Sequence, residues 1–293
     1  MDFPFAYQEN KLLSGLSTFG IGGPARYYAK VRDIPSMQQM LAFCSAHDIP
    51  FFILGKGSNC LFDDAGFDGL VIHNKIDFFE NPRPELFRVG AGYSFSLLGV
   101  KTAREGWSGL EFASGIPASV GGAVFMNAGA NGCETCASLY EVEYVDETGQ
   151  LYIFSKENLP FSYRTSPFQN MSGAVVAASF FLSRLDSARQ KQFEILDYRK
   201  KTQPYGEKSA GCIFRNPQSG HAGALIEQTG LKGQVIGGAK VSSMHANFIV
   251  NDGNARAQDV LELIAHIKEE VLKQQGVELE SEVRYISSLP KSI

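Results

Sequence analysis

Between Gly115 and Gly132 the chain reads Gly-Ile-Pro-Ala-Ser-Val-Gly-Gly-Ala-Val-Phe-Met-Asn-Ala-Gly-Ala-Asn-Gly: five glycines, four alanines, one proline and no charged side chain in eighteen residues. Side chains this small bury little area, so the stretch does not build a core on its own. It lets the backbone approach something large and flat, or something charged. Glycines reach positive φ and leave N–H groups open to a ligand. A second small-residue turn, Leu54-Gly-Lys-Gly-Ser-Asn59, follows the apolar run Pro50–Leu54. Two such segments in one chain suggest a bound nucleotide cofactor.

The 293 residues suffice for one large domain or two to three smaller ones. At 44% hydrophobic and 20% charged residues the composition is that of an ordinary soluble globular protein. A formal net charge of −4 argues against broad nucleic-acid binding, which needs a basic field, but allows a local basic pocket for a phosphorylated ligand. No apolar run approaches the roughly 20 residues of a membrane helix. The first nine residues carry neither a basic nor an apolar targeting region, so a cytoplasmic protein is expected. Cys44, Cys60, Cys133, Cys136 and Cys212 are odd in number and irregularly spaced, as reduced thiols are.

Along the chain, Ala25–Val31 alternates as a strand, and Pro35–Ala46 carries Met37, Met40, Leu41 and Cys44 at helical spacing. Pro50–Leu54, Gly69–Ile72, Leu86–Gly90, Tyr140–Val145 and Val175–Leu182 read as strands, and Phe95–Glu105 and Ser187–Lys201 as helices. Pro204-Tyr-Gly206 marks a domain boundary. Beyond it come a short helix at Ala222–Thr229, a strand at Asn247–Asn251 and a helix with Val260, Ile264, Ile267 and Val271 on one face, with Asn254 the expected N-cap. No repeats or low-complexity tracts are present.

Each motif has two readings. Gly55-Lys-Gly-Ser-Asn59 is a phosphate-binding turn or a plain turn between strands. It is neither a P-loop nor a dinucleotide fingerprint, since Cys60 stands where the third glycine would be. Cys133-Glu-Thr-Cys136 lacks two further ligands at zinc spacing and reads as incidental thiols, so no metal is expected. Arg164, in Tyr163-Arg-Thr-Ser166, is a surface residue or a bidentate carboxylate clamp. Cys212 is a buried structural thiol or a reactive one, and Glu282 a strand-end carboxylate or a site residue.

Together the motifs resemble the UDP-N-acetylenolpyruvoylglucosamine reductase family from about Ser17 to Ile286. The carriers are Ser17-Thr-Phe-Gly-Ile-Gly-Gly-Pro24, Leu54–Asn59, Gly66-Phe-Asp-Gly-Leu-Val71, Gly109–Pro117, Gly121–Gly129, Tyr163-Arg164, Ser209-Ala-Gly-Cys-Ile-Phe-Arg-Asn-Pro217, Gly230-Leu-Lys-Gly233, His245–Asn251 and Glu282-Val-Arg284. The resemblance implies a mixed α/β and α+β fold. A two-subdomain FAD-binding fold of the vanillyl-alcohol-oxidase type (1–75 and 76–203) precedes a C-terminal α/β substrate domain (204–293), whose last strand returns to the FAD domain in one version. It implies FAD lined by Leu54, Gly55, Lys56, Gly57, Ser58, Asn59, Ile116, Pro117, Gly121, Gly122, Asn127 and Gly129. It also implies NADPH as reductant and UDP-N-acetylglucosamine enolpyruvate as substrate, with hydride passing to and from the flavin.

In this resemblance Arg164 stabilises the enolate that forms, Glu282 polarises the carboxylate, and the position of Cys212 protonates carbon. The family often has serine there. A thiol, with a pKa near 8.5 in model compounds, is the stronger acid of the two and mostly protonated at neutral pH, so Cys212 is expected to be the general acid. Asn216, Lys240, His245 and Asn247 are weaker substrate-side candidates, as is either Arg199 or Lys201. The short Ser183–Ser187 loop resembles the branch of the family without a tyrosine lid. A monomer without nucleic-acid or membrane partners is expected. Two other readings remain open: a different FAD-dependent oxidoreductase of the same cofactor fold, and a UDP-sugar-binding protein without catalysis.

Overall fold

In the computed structural model, which describes residues 3–289, Asp33 opens the first helix: its carboxylate accepts from the Ser36 N–H at 2.8 Å, and a proline stands in the first turn. This helix, α1 (Ile34–Ala46), buries Met37, Met40, Leu41 and Cys44, the face read from their spacing. α2 (Phe95–Arg104) is capped by Ser94 and α3 (Val120–Met126) by Ser119. α4 (Ala188–Thr202), α5 (Ala222–Gln228) and α6 (Ala257–Gln275) follow. α3 lies inside the glycine-rich stretch, where its composition gave no helix expectation.

The chain divides into two compact units, each assembled from separate stretches. Unit 1 comprises the chain up to Gln8, Tyr28–Lys56 and Leu70–Arg199; unit 2 comprises Glu9–Tyr27, Gly57–Gly69 and the chain from Lys200 on. Unit 1 carries an antiparallel sheet in the order Leu151–Ser155, Leu139–Asp146, Gly173–Phe181, Leu86–Gly90, Phe79–Arg83. Phe87, Phe95, Phe112, Tyr144, Phe168 and Phe180 fill its core. A parallel pairing sets Phe51 opposite Leu70 and Leu54 opposite His73, which delivers the chain to Gly55.

Unit 2 carries a second antiparallel sheet in the order Ser209–Cys212, Phe248–Asn251, Ala239–Val241, Val235–Ile236. Its core joins Ile213 and Phe214 to Ile226 of α5 and Val260, Leu263 and Ile267 of α6. Strand Arg284–Ile286 runs parallel to Cys60–Phe62. The expected mixed α/β and α+β class is what the chain forms. Among the described residues no helix is long and apolar enough to cross a membrane; Met1 and Asp2 of the terminal stretch read for targeting lie outside them.

One capping assignment is corrected. The N-cap of α6 is Arg256, not Asn254. The Asn251 side chain accepts from Gly253 and Ala255 N–H at 3.3 and 3.1 Å, which folds residues 251–255 into a turn and excludes Asn254 from the cap. The donors at the helix start go to one distant and one local carboxylate instead: Asp64 accepts from Ala257 N–H at 2.8 Å, and Asp259, three residues on, from Arg256 N–H at 3.0 Å.

His73, 7% exposed, meets the Tyr28 hydroxyl at 2.8 Å and stands two residues from Lys75. Burial, then the charges of Lys75 and Lys30, push its pKa down to about 4. The folded state therefore keeps His73 neutral where the unfolded chain protonates it. Its contribution is complete above pH 6.5 and falls as the pH drops toward 4, by about 3 kcal/mol over that window. Urea unfolding at pH 7 and pH 4.5 is expected to show a smaller loss of stability for His73→Asn than for the parent chain. Equal losses would place the acid sensitivity elsewhere.

Candidate active site

The two small-residue segments meet in unit 1 at Gly55 and Ser119. A Cβ on Gly55 would collide with the Ser119 hydroxyl, the same hydroxyl that accepts from Gly122 N–H at 3.3 Å to cap α3. A Cβ on Gly121 would stand 2.9 Å from that of Ala91, whose carbonyl takes the Gly121 N–H at 2.9 Å. Glycine is thus required where α3 begins. Ile116 and Pro117 lead into it, Ile116 through a bond to Ala113 O at 2.9 Å. Lys56 Nζ donates to Ser94 Oγ at 2.7 Å, and burial, with Lys75 adding to it, holds its pKa below the ordinary lysine value. A half-buried ammonium, a run of hydroxyls and small-residue backbone form a donor set suited to a diphosphate. The residues present fit FAD by that criterion.

α3 ends at Asn127, which is fully buried and left-handed at φ 44°. Its amide donates to Glu134 Oε2 at 3.0 Å and Ser162 O at 2.9 Å and accepts from Cys136 N–H at 3.0 Å. Asn127 therefore ties three segments of the protein together. Gly129, paired with Glu134, offers its carbonyl to Arg164 Nη2 at 2.9 Å, and a Cβ there would crowd Cys133 O and the Arg164 guanidinium. Arg164, Asn127 and Gly129 thus belong to one constellation, with Cys133 and Cys136 beside it. Among the described residues no group of three His, Cys, Asp or Glu side chains is placed to hold a metal ion.

Unit 2 gathers the other candidates. Gly57 is left-handed at φ 62°, and its carbonyl accepts from Thr18 N–H at 3.1 Å, while Thr18 Oγ1 donates to Ser209 O at 2.7 Å. Thr18 so bridges the end of the glycine turn and the strand that carries Cys212. On that strand Ser209 faces Val250 and Cys212 faces Phe248, a bulge in which Gly211 takes φ 77° and re-aims the half-buried Cys212. Next in the chain, Ile213 O accepts from Glu282 N–H at 2.7 Å. Asn59 Nδ2 donates to Glu282 O at 3.2 Å and Asn59 O accepts from Arg284 N–H at 3.0 Å. Asn59, Cys212 and Glu282, scattered over the sequence, sit on adjoining backbone, with Ser58 in the same turn.

Asn247 is buried and clamps Phe214, accepting from its N–H at 2.9 Å and donating to its carbonyl at 2.8 Å. It supports the Cys212 segment from behind. His245 Nδ1 takes the Asn247 N–H at 3.2 Å, and Asn216 Oδ1 takes the first N–H of α5 at 3.0 Å. Lys240 pairs with Asp252 at 3.3 Å, and Arg199 and Lys201 lie in the last turn of α4. Thr18, Ser94, Ser119 and Gln169 are structurally involved but were not singled out from the sequence. Ser94 had a local signal, a serine directly before the expected helix from Phe95, whereas Ser119 precedes a helix the composition did not suggest.

Residues 25–155 match the family model described as an FAD binding domain, and residues 203–286 the model of the UDP-N-acetylenolpyruvoylglucosamine reductase C-terminal domain. A UDP-N-acetylenolpyruvoylglucosamine reductase of Protochlamydia amoebophila is 64% identical over 286 residues, covering 98% of this chain and 96% of the relative. That of Chlamydia muridarum is 50% identical over 288 residues, covering 98% and 97%. The crystal structure of UDP-N-acetylenolpyruvylglucosamine reductase from Thermus caldophilus superposes with a TM-score of 0.81 at 37% identity, over 94% of this chain and 98% of that one. Similarity of this extent, matching at both the cofactor domain and the C-terminal domain, shows that the chain belongs to the UDP-N-acetylenolpyruvoylglucosamine reductase family.

Proposed function

We propose that the chain reduces UDP-N-acetylglucosamine enolpyruvate to UDP-N-acetylmuramate, with FAD as cofactor and NADPH as reductant, as a cytoplasmic monomer in peptidoglycan precursor synthesis. In this reading residues 1–75 and 76–203 form the flavin-holding subdomains and residues 204–293 the substrate domain. Leu54–Asn59 and the Ile116–Gly129 segment hold FAD, with Lys56 and backbone N–H groups toward the diphosphate. Asn127 acts there by ending α3, since its amide is committed to Glu134, Ser162 and Cys136. When bound, FAD supplies hydride, received from NADPH, to the enolpyruvyl double bond.

The chain's own residues manage the charge and the proton. Arg164 faces the developing enolate and stabilises it. Glu282 polarises the substrate carboxylate, and the Cys212 thiol gives its proton to carbon. Asn216, Lys240, His245 and Asn247 serve the substrate side, Asn247 by bracing Phe214. The observation that carries the reading is the 2.7 Å bond from Glu282 N–H to Ile213 O, which joins the backbone of Glu282 to the residue that follows Cys212. The purified protein is expected to be yellow, absorbing near ~450 nm, and to oxidise NADPH beyond the single equivalent that reduces its flavin only when the enolpyruvyl substrate is present. Substrate-independent oxidation with oxygen would favour a different flavin oxidoreductase. A colourless protein that refuses added FAD would remove the cofactor from the reading.

A further inference from the structure

Arg164 stands at φ 56°, a left-handed conformation that a side chain of this size rarely takes without support. The support is on view. Ser162 and Thr165 close the Tyr163-Arg164 turn by exchanging N–H···O bonds of 3.1 and 2.9 Å. Gln169 Nε2 then donates to Arg164 O at 3.0 Å and to Phe125 O at 2.9 Å. Both neighbours are carbonyl oxygens, so only the NH2 end of the amide satisfies them. Ser166 Oγ donates to the same Phe125 carbonyl at 2.6 Å. The arginine turn is thereby fastened to the last turn of α3, the helix whose first turn Ser119 caps.

We infer that Gln169 is a positioning residue for the reaction: it holds the Arg164 carbonyl, keeps that backbone left-handed and so aims the guanidinium. The inference rests on Arg164 acting on the substrate, and Gln169 works only through it. Removing the amide frees the turn to relax to negative φ and leaves two half-buried carbonyls without their shared donor.

The experiment uses the FAD-loaded enzyme and follows flavin reoxidation by the enolpyruvyl substrate in single turnover. Gln169→Ala is expected to slow that step about tenfold, with KM, NADPH oxidation and the flavin spectrum unchanged. Gln169→Lys keeps a donor between the two carbonyls and is expected to recover most of the rate; Gln169→Glu sets a carboxylate against them and is not. In an Arg164→Ala background, Gln169→Ala is expected to add no further loss. A crystal structure of Gln169→Glu is expected to show Arg164 at negative φ. Should Gln169→Ala fail to fold, the Lys and Glu variants, equal to the task in length, decide the question. Glu as fast as Lys, a full tenfold loss persisting without Arg164, or an unmoved Arg164 backbone would each overturn the inference. If Arg164→Ala alone matches the parent rate, it is the role of Arg164 that fails.

Discussion

Cys212→Ala is expected to halt reduction of the enolpyruvyl substrate while NADPH oxidation by the flavin continues at the parent rate. The reason is a division of labour. Hydride chemistry belongs to the cofactor, but the carbon that becomes negative must still receive a proton, and alanine offers none. Loss of a positioned acid costs typically 10²–10⁴-fold, and the substrate half-reaction should fall in that range. Stopped-flow absorbance resolves the two halves: bleaching on NADPH addition stays fast, and recovery of the yellow colour on adding substrate becomes slow. Cys212→Ser is the informative partner. A hydroxyl is a weaker acid than a thiol yet can still donate, so partial activity is expected. The bulge at Gly211 aims whichever side chain follows it, so serine should fall in the same place. Recovery as fast in Cys212→Ala as in the parent would exclude the thiol as donor.

Arg164→Ala is expected to slow the same half-reaction by about 10²–10³, the effect of deleting one preorganised donor from a site of developing charge. Arg164→Lys should recover only part of it, because a point charge does not reproduce the forked guanidinium geometry. The arginine is anchored by its bond to Gly129 O, and lysine offers a shorter reach to that carbonyl. Measured with kcat and KM separated, the loss should fall mainly on kcat, the sign of an interaction formed in the transition state. A change confined to KM would make Arg164 a binding residue instead.

Much of this was legible in the sequence, for reasons that can be named. α1 followed from Met37, Met40, Leu41 and Cys44, whose spacing is itself the physical cause of burial. The strands Leu86–Gly90 and Leu139–Asp146 followed from short apolar or alternating runs. α3 did not, because its glycines carry low helix propensity and its stability comes from Ser119 and from packing on Ala91. The start of α6 was missed because the acceptor of its first N–H, Asp64, lies almost two hundred residues upstream. No local rule reaches that far.

By itself the sequence determined the family, the small-residue segments and which chemically capable side chains exist, since these reside in residue type and order. Tertiary structure alone decided which of those side chains become neighbours. Glu282 reaches the Cys212 segment through a backbone hydrogen bond to Ile213, and Arg164 is held against Gly129 in a left-handed conformation that Gln169 and the closed turn support. The Glu282–Ile213 bond joins backbone groups that every residue carries, and the Arg164 guanidinium meets one carbonyl among many; neither the choice of partner nor its place in the chain is written in the identity of the residues beside it.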